Sequence, residues 1–149
     1  MNIKSAEIHK ERMIRSGWIE LVEGEHTIVD GRYFTIGKNS PIITMSGGWI
    51  SIYDNNKSAI TIFGGRIDIF GDSAPVIAQS GGFINIRDSS MPIITISSGF
   101  IHVFEGSKPV ITMSGGVINT FGDSEPVITR SGGWLNGAGL NNMPKRNNK

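Results

Sequence analysis

A glycine returns at one fixed spacing through most of this chain, at Gly48, Gly65, Gly82, Gly99, Gly116 and Gly133. One residue type held at one spacing, with no insertion, marks a chain that stacks copies of a single structural unit. Written from Pro41, the units read PIITMSGGWISIYDNNK, SAITIFGGRIDIFGDSA, PVIAQSGGFINIRDSSM, PIITISSGFIHVFEGSK, PVITMSGGVINTFGDSE and PVITRSGGWLNGAGLNN. Pro opens five of the six, at Pro41, Pro75, Pro92, Pro109 and Pro126, and Ser58 stands in once. Proline has no N–H for a strand ladder and glycine tolerates positive φ, so both belong at corners rather than inside paired strands.

Each unit holds two short alternating runs, such as Val110-Ile111-Thr112-Met113-Ser114 and Val117-Ile118-Asn119-Thr120-Phe121, separated by Gly115-Gly116. Two strands per unit, each pairing with its equivalent one unit on, describe an all-β, single-domain β-solenoid, or β-helix, with 17-residue coils. At about 4.8 Å per coil, six clear coils and an irregular start predict a rod roughly 35 Å long. Three aliphatic ladders are expected to point inward. The first is Ile43, Ile60, Ile77, Ile94, Ile111 and Ile128; the second is Ile50, Ile67, Ile84, Ile101, Ile118 and Leu135; the third is Ile52, Ile69, Ile86 and Val103. Alternation puts the third on the same face as the second, and the columns beside them are polar. At about 1.5–3 kcal/mol per buried aliphatic side chain, these ladders supply the main favourable term.

Composition agrees with many short strands and tight turns: 20 Gly, 18% charged and 38% hydrophobic residues. A length of 149 residues predicts one domain. The chain has no Cys, which excludes disulfides, thiolate metal sites and a cysteine nucleophile.

The two ends depart from the pattern. Residues 1–15 carry Ile3, Ile8, Met13 and Ile14 among charges, which predicts a short amphipathic helix or an extra strand capping the first coil. Residues 16–39 read as irregular coils: Ser16 to Leu21 copies a second strand, and Thr27 to Ile36 resembles a further coil. Gly17 precedes Gly48 by three positions fewer than two full coils, so the register there is open. Regular coils run over 40–140 within a solenoid of 16–142. The third ladder breaks off at Thr120 and Gly137, which predicts a terminator coil followed by a basic flexible tail over 143–149. The N-terminal stretch has no apolar run of signal-peptide or membrane-span length, so a cytoplasmic protein with no membrane contact is expected.

Net charge is +1, but half the basic residues sit at the ends. Between residues 16 and 144, seven basic side chains face eleven acidic ones, about −4. A mildly acidic body is a poor footprint for a phosphate backbone, and no nucleic-acid partner is expected.

The outward columns of the second strand carry the most informative chemistry. One is Trp49, Arg66, Phe83, Phe100, Val117 and Trp134; the next is Ser51, Asp68, Asn85, His102, Asn119 and Asn136; the last is Tyr53, Phe70, Arg87, Phe104 and Phe121. Exposed to water, this strip is an apolar patch of the kind that marks an interaction surface. Folded over corners, the same rings would stack coil on coil. The first reading makes Trp49, Tyr53, Phe70, Phe83, Asn85, Phe100, His102, Phe104, Asn119, Phe121 and Trp134 the partner-binding residues. They would serve a protein partner or a second copy of the chain, as a homodimer.

Other arrays have plainer explanations. Thr44, Thr61, Thr95, Thr112 and Thr129 form a column broken by Ala78, and Ser46, Ser80, Ser97, Ser114 and Ser131 form one broken by Phe63. This hydroxyl grid resembles the ice-binding faces of solenoid antifreeze proteins, although Thr favours strands and Ser beside Gly favours turns in any case. Asp54, Asp72, Asp88, Glu105 and Asp123 recur at turns without sharing one column, which turn chemistry explains without calcium. His9, His26 and His102 are far apart in the repeat, and no coil pairs a His with a nucleophile and an orienting carboxylate. No catalytic residue, metal or cofactor is expected, and the chain reads as a non-enzyme.

The runs Gly71-Asp72-Ser73-Ala74-Pro75-Val76-Ile77 and Gly122-Asp123-Ser124-Glu125-Pro126-Val127-Ile128 resemble small repeat proteins of bacteriophages and mobile elements, over residues 40–140. That resemblance implies an accessory protein that inhibits a host defence complex by occluding its surface. The coil length is also similar to that of bactofilins, which implies a self-assembling structural solenoid. The charged N-terminal segment and the decaying last coil speak for capped ends instead.

Overall fold

A computed structural model of the chain describes residues 3–137. A helix, Ile3–Arg15, precedes a β-solenoid of two parallel sheets packed back to back. The second strands of the coils form an eight-stranded front sheet from Ile19–Glu20 to Trp134–Gly137, and the first strands form a seven-stranded back sheet from Glu25–Ile28 to Val127–Arg130. Every pairing is parallel, and from Glu25 onward each strand residue meets its equivalent one coil on: Ile94 pairs with Ile77 and Ile111, Ile101 with Ile84 and Ile118. The expected tail over 143–149, and the end of the last coil, lie outside the described residues.

The three expected ladders do face inward. A fourth, which the periodicity left unassigned, joins them from the back sheet: Ile28, Met45, Ile62, Gln79, Ile96 and Met113 are all buried. Gln79 is the polar member, and its amide Nε2 donates to the corner carbonyls of Gly81, Gly82 and Phe100 at 3.2–3.3 Å. The amide nitrogen is thereby satisfied inside an aliphatic ladder, sharing Gly82 O with the Phe100 N–H, while Gln79 Oε1 is buried without a hydrogen-bond partner among the described residues.

The corners explain the glycines. Gly82 has φ +79°, and a Cβ there would lie 2.8 Å from the Gly65 carbonyl of the preceding coil. Gly81 has no such φ, but its Cβ would fall 2.1 Å from the Phe63 carbonyl, so close stacking excludes a side chain. At the opposite corner Asn56, Ser73, Ser90, Ser107 and Ser124 form a buried polar ladder. Asn56 donates to Thr35 Oγ1, Gly37 O and Asn39 O, and the Ser90 hydroxyl lies 2.6 Å from Arg87 O and 3.0 Å from Gly71 O. Ser107 repeats the contact to the carbonyl three residues back, Phe104 O, and lies 3.1 Å from Ile86 O. Asn56, Ser90 and Ser107 thus reach turn carbonyls inside the corner, whereas the buried Ser73 and Ser124 hydroxyls have no hydrogen-bond partner among the described residues.

The register of the first coil is resolved. Ile19 pairs with Tyr33, three positions short of a full coil, whereas Glu25 already pairs with Ile42 at the full spacing. The three missing residues therefore come out of the corner after the first front strand. The helix ends in a Schellman motif: Trp18 N–H donates to Met13 O, Gly17 N–H donates to Ile14 O, and Gly17 takes φ +93°. It lies against the outer side of the front sheet, touching Ile19–Glu20 and Arg32–Ile36, rather than across the open end of the core. Ile19, in the second inward column, stays 56% exposed at that end. Ile8 and Ile14 also point to solvent, so the helix packs with its His9 and Met13 side: of the expected apolar residues Met13 faces the sheet and Ile8 and Ile14 do not.

The back sheet carries an exposed aliphatic ladder beside the Thr and Ser columns: Ile42, Ala59, Val76, Ile93, Val110 and Val127. Adjacent isoleucines thus have opposite roles, Ile94 being 1% exposed and Ile93 52%. Ile94→Ala is expected to cost about 2–5 kcal/mol in equilibrium urea unfolding, whereas Ile93→Ala should cost less than about 1 kcal/mol; equal costs would contradict the facing described.

Candidate functional site

The front sheet bends its two outer columns around a sunken middle one. In the column beside the Gly-Gly corner, the Arg32 guanidinium lies 5.6 Å over the Trp18 ring and that of Arg66 4.2 Å over Trp49, while Phe83 and Phe100 stack at 5.7 Å. In the column beside the acidic corner, Tyr53 stacks on Phe70 at 4.9 Å, Arg87 lies 4.3 Å over Phe104, and Phe104 stacks on Phe121 at 5.1 Å. Parallel in-register strands force equivalent side chains to lie one coil apart, so rings and guanidinium planes pile face to face. The two readings of these columns are compatible. The rings stack coil on coil, yet Phe100, Phe121 and Trp134 remain exposed, Trp134 by 72%.

The middle column corrects an expectation. Asn85, read as a binding residue, is buried together with Ser51 and Asp68, because the flanking rings stand taller than these short polar groups. Asp68 is the hub of this buried set. Its carboxylate accepts from Trp49 Nε1 at 2.8 Å and Asn85 Nδ2 at 2.7 Å, and pairs with the half-exposed Arg66 guanidinium at 3.1 Å. The arrangement locks Trp49 and Arg66 into their stacked poses. His102 and Asn119, further along the column, are half-buried, and Asn119 accepts from Asn136 Nδ2 at 3.2 Å. In the first coil Phe34 takes the middle position and is wholly buried where the helix packs on its strand.

Two clefts open on this face. One, of about 330 Å³, is lined by Arg66, Phe83, Asn85, Arg87, His102 and Phe104. Its polar character is cationic, since Arg66 already neutralises Asp68 and the Arg87 guanidinium has no ion pair among the described residues. His102 contacts Phe83, Phe104 and Phe121 edge-on. Burial, and secondarily the Arg87 charge, hold its pKa below the ordinary value of 6.5. The other cleft, about 340 Å³, lies where the helix meets the sheet and is lined by His9, Tyr53, Phe70, Asp72, Asp88 and Ser89 among others.

That second cleft gathers a His, a Ser and three Asp, Asp54, Asp72 and Asp88, that the repeat keeps apart in sequence. The Ser89 hydroxyl donates to Asp72 at 2.5 Å, while His9 packs edge-on against Tyr53 with centroids 4.4 Å apart. Burial, then Arg12, holds His9 toward its neutral form. Among the described residues, no three His, Asp or Glu side chains are placed to hold a metal ion, and no helix is long and apolar enough to cross a membrane.

Of the eleven residues singled out on this face, ten reach its surface to some degree and Asn85 does not. Sequence reasoning gave no role to Asp68, Arg66 and Arg87 beyond their columns; a lone carboxylate amid aromatics and arginines was the available signal. Nor could it bring His9 beside Tyr53, since that contact crosses from the helix to the solenoid. No protein-family model, curated protein or solved structure matches the chain.

Removing the hub should loosen the face. Asp68→Ala leaves the Trp49 indole N–H and the Asn85 amide without their acceptor and is expected to lower stability by about 1–3 kcal/mol in urea unfolding, with a matching change in Trp fluorescence. Acidification supplies a second check. Both histidines bind protons more weakly folded than unfolded, so stability is complete above about pH 6.5 and falls as pH drops below it. His102→Gln should flatten that fall; an unchanged slope would show that His102 takes no part.

Proposed function

We propose that the protein is a non-enzymatic binding protein whose front face receives a protein partner. The observation that carries this reading is the cationic, ring-walled cleft around Arg87, set between two columns of half-exposed and exposed aromatic side chains that Arg66, Val117 and Arg87 interrupt. Aromatic residues and Arg dominate the energetics of protein interfaces, because they desolvate a large area while keeping a polar handle. Here they are held in place before binding by coil-to-coil stacking and by the Asp68 hydrogen bonds, so little side-chain entropy is lost on association.

The partner chemistry follows from the lining. A carboxylate side chain flanked by apolar groups would place its charge on Arg87 and its neighbours against Phe83, Phe100 and Phe104. The acidic turns at Asp72, Asp88 and Glu105 border the face and favour a partner with basic groups at the rim. Occlusive binding of this kind is also what the resemblance to phage repeat proteins implies, with a host complex as the partner.

The test uses the full chain as bait in a cell lysate, alongside the Phe83→Ser/Phe100→Ser and Arg87→Glu variants. Unfolding midpoints are measured on each to show that the solenoid is intact. A protein retained by the wild type and released by both variants is the expected result. Equal retention by all three baits would remove the front face from consideration.

A further inference from the structure

On the reading of the front face as a binding surface, we infer that the cleft around Arg87 takes up its carboxylate together with a proton, with His102 as the second cationic contact for the same anion. The two side chains meet across neighbouring coils. His102 lies in register with Asn85, and Arg87 stands two residues past Asn85 on the same face of the sheet. Diagonal positions of this kind hold Cβ atoms roughly 7–8 Å apart, within reach of long side chains. Phe104 is their common neighbour: the Arg87 guanidinium lies 4.3 Å over its ring, and the His102 ring centroid is 6.1 Å from it. Both line the same cleft of about 330 Å³.

Both also keep polar edges unused. Stacking on Phe104 occupies the face of the Arg87 guanidinium and leaves its N–H edge, and among the described residues that side chain makes no hydrogen bond or ion pair. The His102 ring touches Phe83, Phe104 and Phe121 edge-on, and neither of its nitrogens has a hydrogen-bond partner among the described residues. The polar groups around them are engaged. Asp68 accepts from Trp49 and Asn85 and pairs with Arg66, and Asn119 accepts from Asn136. A carboxylate brings two acceptor oxygens, one for each of the two open donor groups.

Neutral imidazole offers one donor, whereas the imidazolium offers two donors and a charge. The groups packed around His102 leave that choice to the ligand. Its own strand, Phe100–Val103, holds no other charged side chain, and the following strand, Val117–Thr120, holds none. The preceding coil brings Arg87, and one coil further back Arg66 and Asp68 neutralise each other. Asp88, Glu105 and Asp123 lie in the turns of the acidic corner. Burial, then Arg87, holds the free imidazole below its ordinary pKa. A carboxylate bound to Arg87 offsets that positive charge and favours the imidazolium. Affinity for the anion therefore rises as pH falls through the His102 titration, and by reciprocity a bound anion moves that titration upward.

The test uses the full chain and a synthetic probe, acetyl-Phe-Asp-Phe-amide, with acetyl-Phe-Asn-Phe-amide as the uncharged control. The probe carboxyl has an ordinary pKa of about 3.9, so it stays ionised across the range used. NMR shift titration is expected to show the acidic probe binding about fivefold or more tighter near pH 5 than near pH 7.5, with the His102 titration midpoint raised in the saturated complex. His102→Gln should remove the pH dependence, His9→Gln should retain it, and Arg87→Glu should abolish binding at both pH values. Unfolding midpoints show that each variant is folded. Binding that Arg87→Glu blocks but that is equal at both pH values, or a pH dependence that survives His102→Gln, would overturn the proton coupling and leave the front face standing as a binding surface. No binding of the acidic probe, or equal binding of the uncharged one, would overturn the carboxylate site itself, whereas the front face as a whole falls only if the lysate baits are retained equally.

Discussion

Each backbone strand of the solenoid hydrogen-bonds to its equivalent one coil away, in parallel and in register, and that pairing turns a sequence column into a physical ladder. Aliphatic columns become a continuous core, and glycines become corners where one coil's carbonyls approach the next coil's backbone within a distance no Cβ permits. A side chain that departs from its column is felt as a knob, a dent or a buried polar group, since its neighbours above and below are fixed at about 4.8 Å.

The two outer faces show what one frame can carry. On the front, tall rings flank short polar groups, and the polar groups sink. Asp68 is consequently buried on the outside of a sheet, where it would be exposed among side chains of equal height. Its charge is tolerated because Arg66, Trp49 and Asn85 all direct donors at it. On the back, side chains of similar length give a level surface with no charge from Ile42 to Ser131 and Glu25 at its N-terminal edge, interrupted where Phe63 and Ala78 differ from their columns.

The N-terminal end is closed by different means from those that build the rod. Three residues are dropped from one corner of the first coil, and a helix capped by Gly17 turns back onto the front sheet. The helix shields Phe34 and brings His9 to Tyr53, so it finishes the front face more than it seals the core.

The architecture, the coil length, the corners and three of the four core ladders are legible in the sequence, because a strict repeat reports periodicity directly and in-register pairing follows from it. The Gln79 and Met45 ladder escaped notice because a polar residue interrupts its aliphatic pattern, and the corner carbonyls around Gln79 explain the exception. Which columns face outward was also legible. How far each stands above the surface was not, since that depends on the height of neighbours one coil away: Asn85 reads as a surface residue and is buried between the taller flanking columns. The meeting of helix and sheet at His9 and Tyr53 emerges only from the folded packing, for it rests on a distance between residues whose spacing in the chain carries no period.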